Sequence, residues 1–332
     1  MRGFVGRFAH SIQLKLLLVT SACVLLATPL ASARAEWPER PVKLLVTFPP
    51  GSANDAAARI FADALSKRWR KPVVVEDKPG AEGTLGVGAF VSSQDDHSLL
   101  YTVAGSITVA PLLIDKLPYD VEHDLKPVAS TTEIVLTLAV ANSLSTRSIP
   151  ELIDALRAKP AIYAWTSGPT IPRYVFAAFL KRHDLQMIFV SYRDAAQPQA
   201  DLGEGRIQAL VTSLTASSSP VQTGKARFLA VLNPTRAATL PDVKTVRELG
   251  YPELEVNAGS GFFSGNAMPE TIRARVATDV TAICQDPEVR SKLEASGHNV
   301  LKGTRDDLVA RIANQKAWVT EISKYVDIRN AQ

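Results

Sequence analysis

One pattern constrains this chain more than any other: an alternation of short apolar runs and helix-spaced stretches that begins at residue 42 and begins again near residue 148. Such alternation is the signature of βα units laid into a largely parallel sheet. Residues 42–48 read as a buried strand and Pro49-Pro50-Gly51-Ser52 as a turn. A helix follows over about 55–70, with Ala58, Phe61, Ala62 and Leu65 on one face. Further strands are expected at 73–76, 99–103 and 135–141, with a turn at Lys78-Pro79-Gly80-Ala81-Glu82-Gly83. The second series opens at Ser148-Ile149-Pro150-Glu151, where Ser suits an N-cap and Pro the first helical turn. It continues with strands at 162–166, 187–190, 207–212 and 228–232, a turn at Ser167-Gly168-Pro169 and a helix over about 173–181. Helices near 269–285, 287–296 and 305–325 close the chain. Two series predict two α/β lobes, each a mainly parallel sheet flanked by helices.

Charge removes one class of function. The 37 Lys and Arg residues outnumber 33 Asp and Glu, but Arg2, Arg7, Lys15 and Arg34 sit in a 35-residue leader without a single acid. The remainder is balanced, so binding to nucleic acid has no electrostatic motive. The leader reads as an export signal: a basic start, an apolar run over 16–26 and the small-x-small site Ala33-Arg34-Ala35. Its apolar run is shorter than the roughly 18–20 residues that span a bilayer. Cleavage would remove Cys23 and leave Cys284, so the mature fold is expected to rely on its cores and not on a disulfide. Cys284 continues the helical stripe Val276, Val280, Ile283 and reads as a small buried hydrophobe.

A catalytic constellation is not evident. His97, His123, His183 and His298 are isolated, without metal-ligand spacing, and each reads as a surface or internally satisfied residue. Ser264 stands one place too late for a nucleophile elbow, and Gly80, Gly83, Gly86 and Gly88 miss the dinucleotide spacing. No cofactor and no metal is therefore expected. What recurs is a strand, a tight polar turn and a helix start, at Phe48 to Asp55 and again at Thr166 to Thr170. The N–H groups and positive dipole end of a helix N-terminus favour a small anion such as a carboxylate. Either turn alone is equally a plain capped connection, and Asp55 is equally a helix cap.

Several short motifs then occur in a specific order. They are Trp37-Pro38 before Arg40-Pro41-Val42-Lys43-Leu44, Phe48-Pro49-Pro50-Gly51 through Asp55, and Pro72-Val73-Val74-Val75-Glu76 before Lys78-Pro79-Gly80-Ala81. Leu117-Pro118-Tyr119-Asp120, Asp124-Leu125-Lys126-Pro127-Val128, Asp201-Leu202 before Gly205-Arg206-Ile207, Leu240-Pro241-Asp242-Val243 and Asp286-Pro287-Glu288-Val289-Arg290 follow. In this order the chain resembles the periplasmic solute-binding proteins of tripartite tricarboxylate transporters, the Bug or TctC-like family. The resemblance implies a monomeric, non-enzymatic Venus-flytrap receptor in the periplasm. It divides the chain into a first lobe of residues 37–141 plus 256–332 and a second of 142–255, with the ligand between them. Family ligands are small carboxylates and dicarboxylates, sometimes aromatic acids, held by backbone amides, hydroxyls and waters and passed to membrane permease subunits or presented to a sensor.

Carried over position by position, the first-lobe site would be Phe48, Pro49, Gly51, Ser52, Ala53, Asn54, Asp55, Gly83, Thr84 and Ser106. The second lobe would add Thr166, Ser167, Gly168, Thr170, Tyr192, Arg193, Asp194, Ala196 and Ser213. Departures from the family pattern bear on the ligand. Glu82 replaces a usual Gly and adds negative charge, Pro169 and Pro172 each delete an N–H donor, and Ser213 stands where several members carry Asp. Arg193 reads either as a guanidinium clamp or as an exposed partner of Asp194. Two other readings are an interaction protein with a decayed cleft and, with less support, a hydrolase using Ser167 or Ser213.

Overall fold

The computed structural model describes residues 37–114, 116–168, 171–192, 196–257 and 259–327, apart from the side chains at 112 and 113. The expected export signal at 1–35 and the expected site residues Thr170, Arg193 and Asp194, with Pro169, lie outside the described residues.

The described strands are β1 (Val42–Val46), β2 (Val73–Asp77), β3 (Ser98–Val103), β4 (Lys126–Ile134), β5 (Leu136–Ala141), β6 (Ala164–Ser167), β7 (Ile188–Phe189), β8 (Ala209–Ser213), β9 (Ala226–Val231), β10 (Gly259–Ser264) and β11 (His298–Val300). They form a six-stranded sheet in the order β11-β4-β10-β3-β1-β2 and a five-stranded sheet in the order β7-β6-β8-β5-β9. This is the expected two-sheet α/β architecture, with four of the six strands of the first sheet and four of the five of the second running in one direction and the others reversed. The βα units make the parallel pairs, β1 with β2 and β3, and β6 with β7 and β8. The antiparallel pairs are β10 with β3 and β4, β11 with β4, and β5 with β8 and β9.

The expected boundary at residue 141 also shifts. β5 pairs with β8 and β9 of the second sheet, so the change of sheet falls at Val135, between β4 and β5. Every residue of β5 is buried, and a continuous apolar run carries no mark of which sheet will receive it. Asn233, fully buried, fastens this crossing: its Nδ2 donates to the Ile134 carbonyl at 2.9 Å and its Oδ1 accepts the Leu136 N–H at 2.7 Å.

Each sheet has an aromatic-rich core. The helix Ala53–Trp69 buries Ala57, Ala58, Phe61, Ala62 and Leu65 at 3–4 residue spacing. Phe61 meets Phe262 edge-on at 5.6 Å between centroids, and Phe262 meets Tyr101 at 5.3 Å. On the second sheet Trp165 packs on Phe176 at 4.9 Å and on Phe189 at 5.0 Å. Burying side chains of this size contributes about 1.5–3 kcal/mol each. The C-terminal helix Arg305–Ile322, capped by the Thr304 hydroxyl on the Asp307 N–H at 3.2 Å, serves both cores. Leu308 joins Leu45, Phe90, Leu100 and Phe263, whereas Val319 and Ile322 join Leu138, Phe176 and Phe179. Cys284 is buried as expected, and burial pushes its thiol up to about 12, which keeps it protonated and unreactive.

Candidate ligand cleft

A cavity of about 410 Å3 opens at the C-terminal ends of the parallel strands of both sheets. Thr47 follows β1, Pro79 and Gly80 follow β2, Val103 ends β3, Gly168 follows β6, and Thr212 and Ser213 end β8. Ligand crevices in open α/β sheets form at such strand ends, because the turns there lead into helix N-termini. Four helices of nine residues or more begin on the wall: Ala53–Trp69, Thr84–Ser93, Ile171–Arg182 and Leu214–Gln222. First-turn N–H groups have no partner within their own helix, and a helix N-terminus stabilises an anion by typically 0.3–1 kcal/mol, so about four such ends outweigh one isolated charge contact in water. Pro172 deletes one donor from the third of these helices.

The expected residues divide by what their polar atoms touch. Phe48, Pro49, Ser52, Ala53, Asn54, Gly83, Ser106, Gly168 and Ser213 line the cavity. Ser52 caps its helix by accepting the Asp55 N–H at 3.2 Å, and Ser213 accepts the Ala216 N–H at 3.3 Å. Asn54 is buried, and its Oδ1 accepts from the Ser260 hydroxyl at 3.1 Å. Gly83, at φ +90°, must be glycine on two counts: a Cβ would meet Ser106 Oγ at 2.6 Å, and the backbone lies where L side chains are strained.

The other described residues of that set stand behind the wall. Asp55 accepts the Gly51 N–H on Oδ2 at 2.7 Å and pairs with Arg59 Nε through Oδ1 at 2.7 Å, so both residues are spent in shaping the turn. The Thr84 hydroxyl donates to the Ala81 carbonyl at 2.7 Å, and the Thr166 hydroxyl to the Val190 carbonyl at 2.7 Å. Tyr192 donates its hydroxyl to Asp201 at 2.7 Å, and desolvation together with that carboxylate pushes its phenol up to about 12. Ala196 is the N-terminal flank of the helix Gln197–Gly203, and Ser167 Oγ is buried without a hydrogen-bond partner among the described residues. Neither lines the cavity.

Among the described residues, Glu82 is the one ionisable side chain on the lining, and desolvation raises its carboxyl above the ordinary value. No described Lys or Arg joins it there. The isolated histidines find local partners: His97 Nδ1 lies 2.7 Å from Asp96, His123 Nδ1 2.8 Å from Asp124, His183 Nε2 2.9 Å from Glu253 and His298 Nδ1 3.0 Å from Ser296 Oγ. Asp95, Asp96 and His97 bring ligand-type atoms within 4.8 Å of one another, but Arg40 takes both carboxylates, at 2.5 and 3.2 Å. That contact holds Asp95 down to about 2.

The sequence reading missed part of the lining: Thr47, Pro79, Gly80, Val103, Gly105, Ile134, Leu136, Ile171, Thr212 and Gln315. Most are apolar or glycine and carry no chemical signature. Gln315 does. It is the one polar residue on the inward stripe Leu308, Ile312, Gln315, Val319, Ile322, it is 3% exposed, and neither its Nε2 nor its Oε1 has a hydrogen-bond partner among the described residues. Leaving a buried amide unpaired costs about 1–3 kcal/mol.

Known proteins place this architecture. The tripartite tricarboxylate transporter family receptor profile matches residues 57–327. A UPF0065 protein of Bordetella bronchiseptica is 27% identical over 310 residues, covering 93% of this chain and 92% of that protein. The protein BugT of Bordetella pertussis is 28% identical over 286 residues, covering 84% and 87%. Among solved structures, an R. palustris protein with adipate superimposes with a TM-score of 0.75 at 24% identity, over 87% of this chain and 98% of that one. MatC from Rhodopseudomonas palustris with bound malate gives a TM-score of 0.68 at 24% identity, over 89% and 100%. At these identities the structures speak for the fold. No helix among the described residues is long and apolar enough to cross a membrane.

Proposed function

Because the chain belongs to the family of tripartite tricarboxylate transporter receptors, periplasmic solute-binding proteins and not enzymes, we propose that it captures a small organic acid in the cleft between its two sheets and hands it to membrane permease subunits. The observation that carries this reading is the cavity itself. Its volume falls within the about 300–1,000 Å3 of small-molecule sites, and four helix N-termini open on its wall. Adipate and malate, the ligands of two proteins of this fold, are both dicarboxylates. In this reading residues 1–35 are the export signal, the lobes divide at Val135 and near Val256, and the protein acts as a monomer. A ligand that touches both walls favours the closed arrangement through contacts that the open arrangement lacks.

Thermal unfolding of the mature protein against a panel of mono-, di- and tricarboxylates tests the reading. A ligand present at 100 times its Kd adds about 2.7 kcal/mol of stability, so the matching acid raises Tm by several degrees. A panel that leaves Tm unmoved at millimolar concentration, with no acid retained in native mass spectra, removes the reading.

A further inference from the structure

We propose that Gln315 determines specificity within this cleft, reading an uncharged donor–acceptor group, a carboxamide, on the end of a bound acid that the helix N-termini do not hold. The inference rests on the receptor reading and adds the class of acid: a dicarboxylic acid monoamide.

Three observations converge on it. Gln315 lies on the C-terminal helix between Leu308, which packs in the first core, and Val319, which packs in the second, so its side chain arrives where the two cores separate and the cavity begins. Both amide atoms are shut off from solvent and unpaired, although every neighbour on the same stripe is apolar. Gly105 lies against the amide: a Cβ there would sit in ordinary contact with Nε2, at 3.8 Å, and press on Ile171 Cδ1 at 3.1 Å. A buried polar group of this kind costs free energy in the ligand-free fold unless a partner completes it.

Charge selects the partner. Among the described lining residues there is no cation, and the one ionisable group, Glu82, is an acid. A second carboxylate against Gln315 would accept from Nε2 but turn its other oxygen, lone pair to lone pair, toward Oε1. A carboxamide satisfies both atoms at once, its carbonyl accepting from Nε2 and its N–H donating to Oε1. It adds no charge to a wall whose described residues hold no counter-ion.

Calorimetric titration of the mature protein with adipate and succinate, and with the monoamide of each, tests the assignment. At least one monoamide binds tenfold or more tighter than its diacid. Gln315→Leu, which keeps the volume, abolishes that preference by weakening the monoamide at least tenfold, and Tm of the ligand-free variant equals or exceeds that of the parent. Gln315→Met serves the same comparison if the Leu variant does not fold. A parent that prefers the diacids overturns the proposal, as does a monoamide preference that survives in the variants, or a fall in Tm with unchanged affinities, which marks the amide as structural. Monoamide binding insensitive to Gln315 removes this inference and leaves the receptor reading standing, whereas a protein that binds none of the four compounds loses both.

Discussion

The two walls of the cleft are built from the same unit, a strand feeding a tight turn and a helix, yet they differ in what they offer. The first-sheet wall presents Thr47, Ser52, Asn54, Glu82 and Ser106 around three turns, and its geometry is locked by Gly83 and by the Asp55 bonds to Gly51 and Arg59. The second-sheet wall presents Gly168, Ile171, Pro172, Thr212 and Ser213, beside the crossing residues Ile134 and Leu136. Its expected polar groups Thr166 and Tyr192 are spent on Val190 and Asp201. Among the described residues, the first wall offers more hydrogen-bonding side chains and the second mostly apolar surface. A repeated supersecondary unit thus sets where a site can form, while the partners chosen by each polar side chain set which half of a ligand it can hold.

The largest expected effect probes the seam where the sheets meet. His298 is fully buried on β11, paired with Ile134, and burial depresses its imidazole from 6.5 to about 4. The unfolded chain therefore binds more protons between those values, so stability is complete above pH 6.5 and declines as pH falls toward 4. The loss amounts to about 3 kcal/mol. Urea unfolding of the parent and of His298→Leu at pH 7 and pH 4.5 reads it; equal pH slopes in the two proteins contradict the assignment.

Next in size is the contrast between the two turn glycines. Gly83→Ala combines a left-handed backbone with a 2.6 Å approach to Ser106 Oγ and should cost about 2–3 kcal/mol. In Gly168→Ala the new Cβ approaches only the Thr212 hydroxyl, at 3.0 Å, and the change should cost about 1 kcal/mol or less. Equal urea midpoints for the two variants would break the comparison of a locked wall with a lax one. The smallest effects come from the caps. Ser52→Ala and Ser213→Ala each remove an N-cap and about 1 kcal/mol of stability. Only Ser52→Ala is expected to weaken the best-binding acid about fivefold as well, a loss of one hydrogen bond; titration of both variants with that acid decides whether the first wall anchors it.

The same contrast explains what was legible in the sequence. The βα turns announce themselves by Gly, Pro and capping residues next to apolar runs, which marked the turn that holds Ser52, whereas Gly83, Ser106 and Ser213 were placed on the cavity only through the family resemblance. Residue type does not say where a side chain turns: Asp55, Thr84, Thr166 and Tyr192 have the right chemistry and point it into the protein's own backbone and side chains. Sheet membership of β5 was equally illegible, since a wholly buried strand fits either layer. Gln315 was readable in hindsight as the polar break in an apolar helical stripe, a signal visible only when the last helix is asked what it covers.

That last helix has a consequence for how such receptors diversify. Leu308 and Val319, eleven positions apart on one rod, are rooted in different hydrophobic interiors. The segment 136–255 is therefore not a cassette that recombination can exchange freely: a transplanted replacement would have to offer Val319 and Ile322 a matching socket, which ties inheritance of the chain's middle to inheritance of its tail.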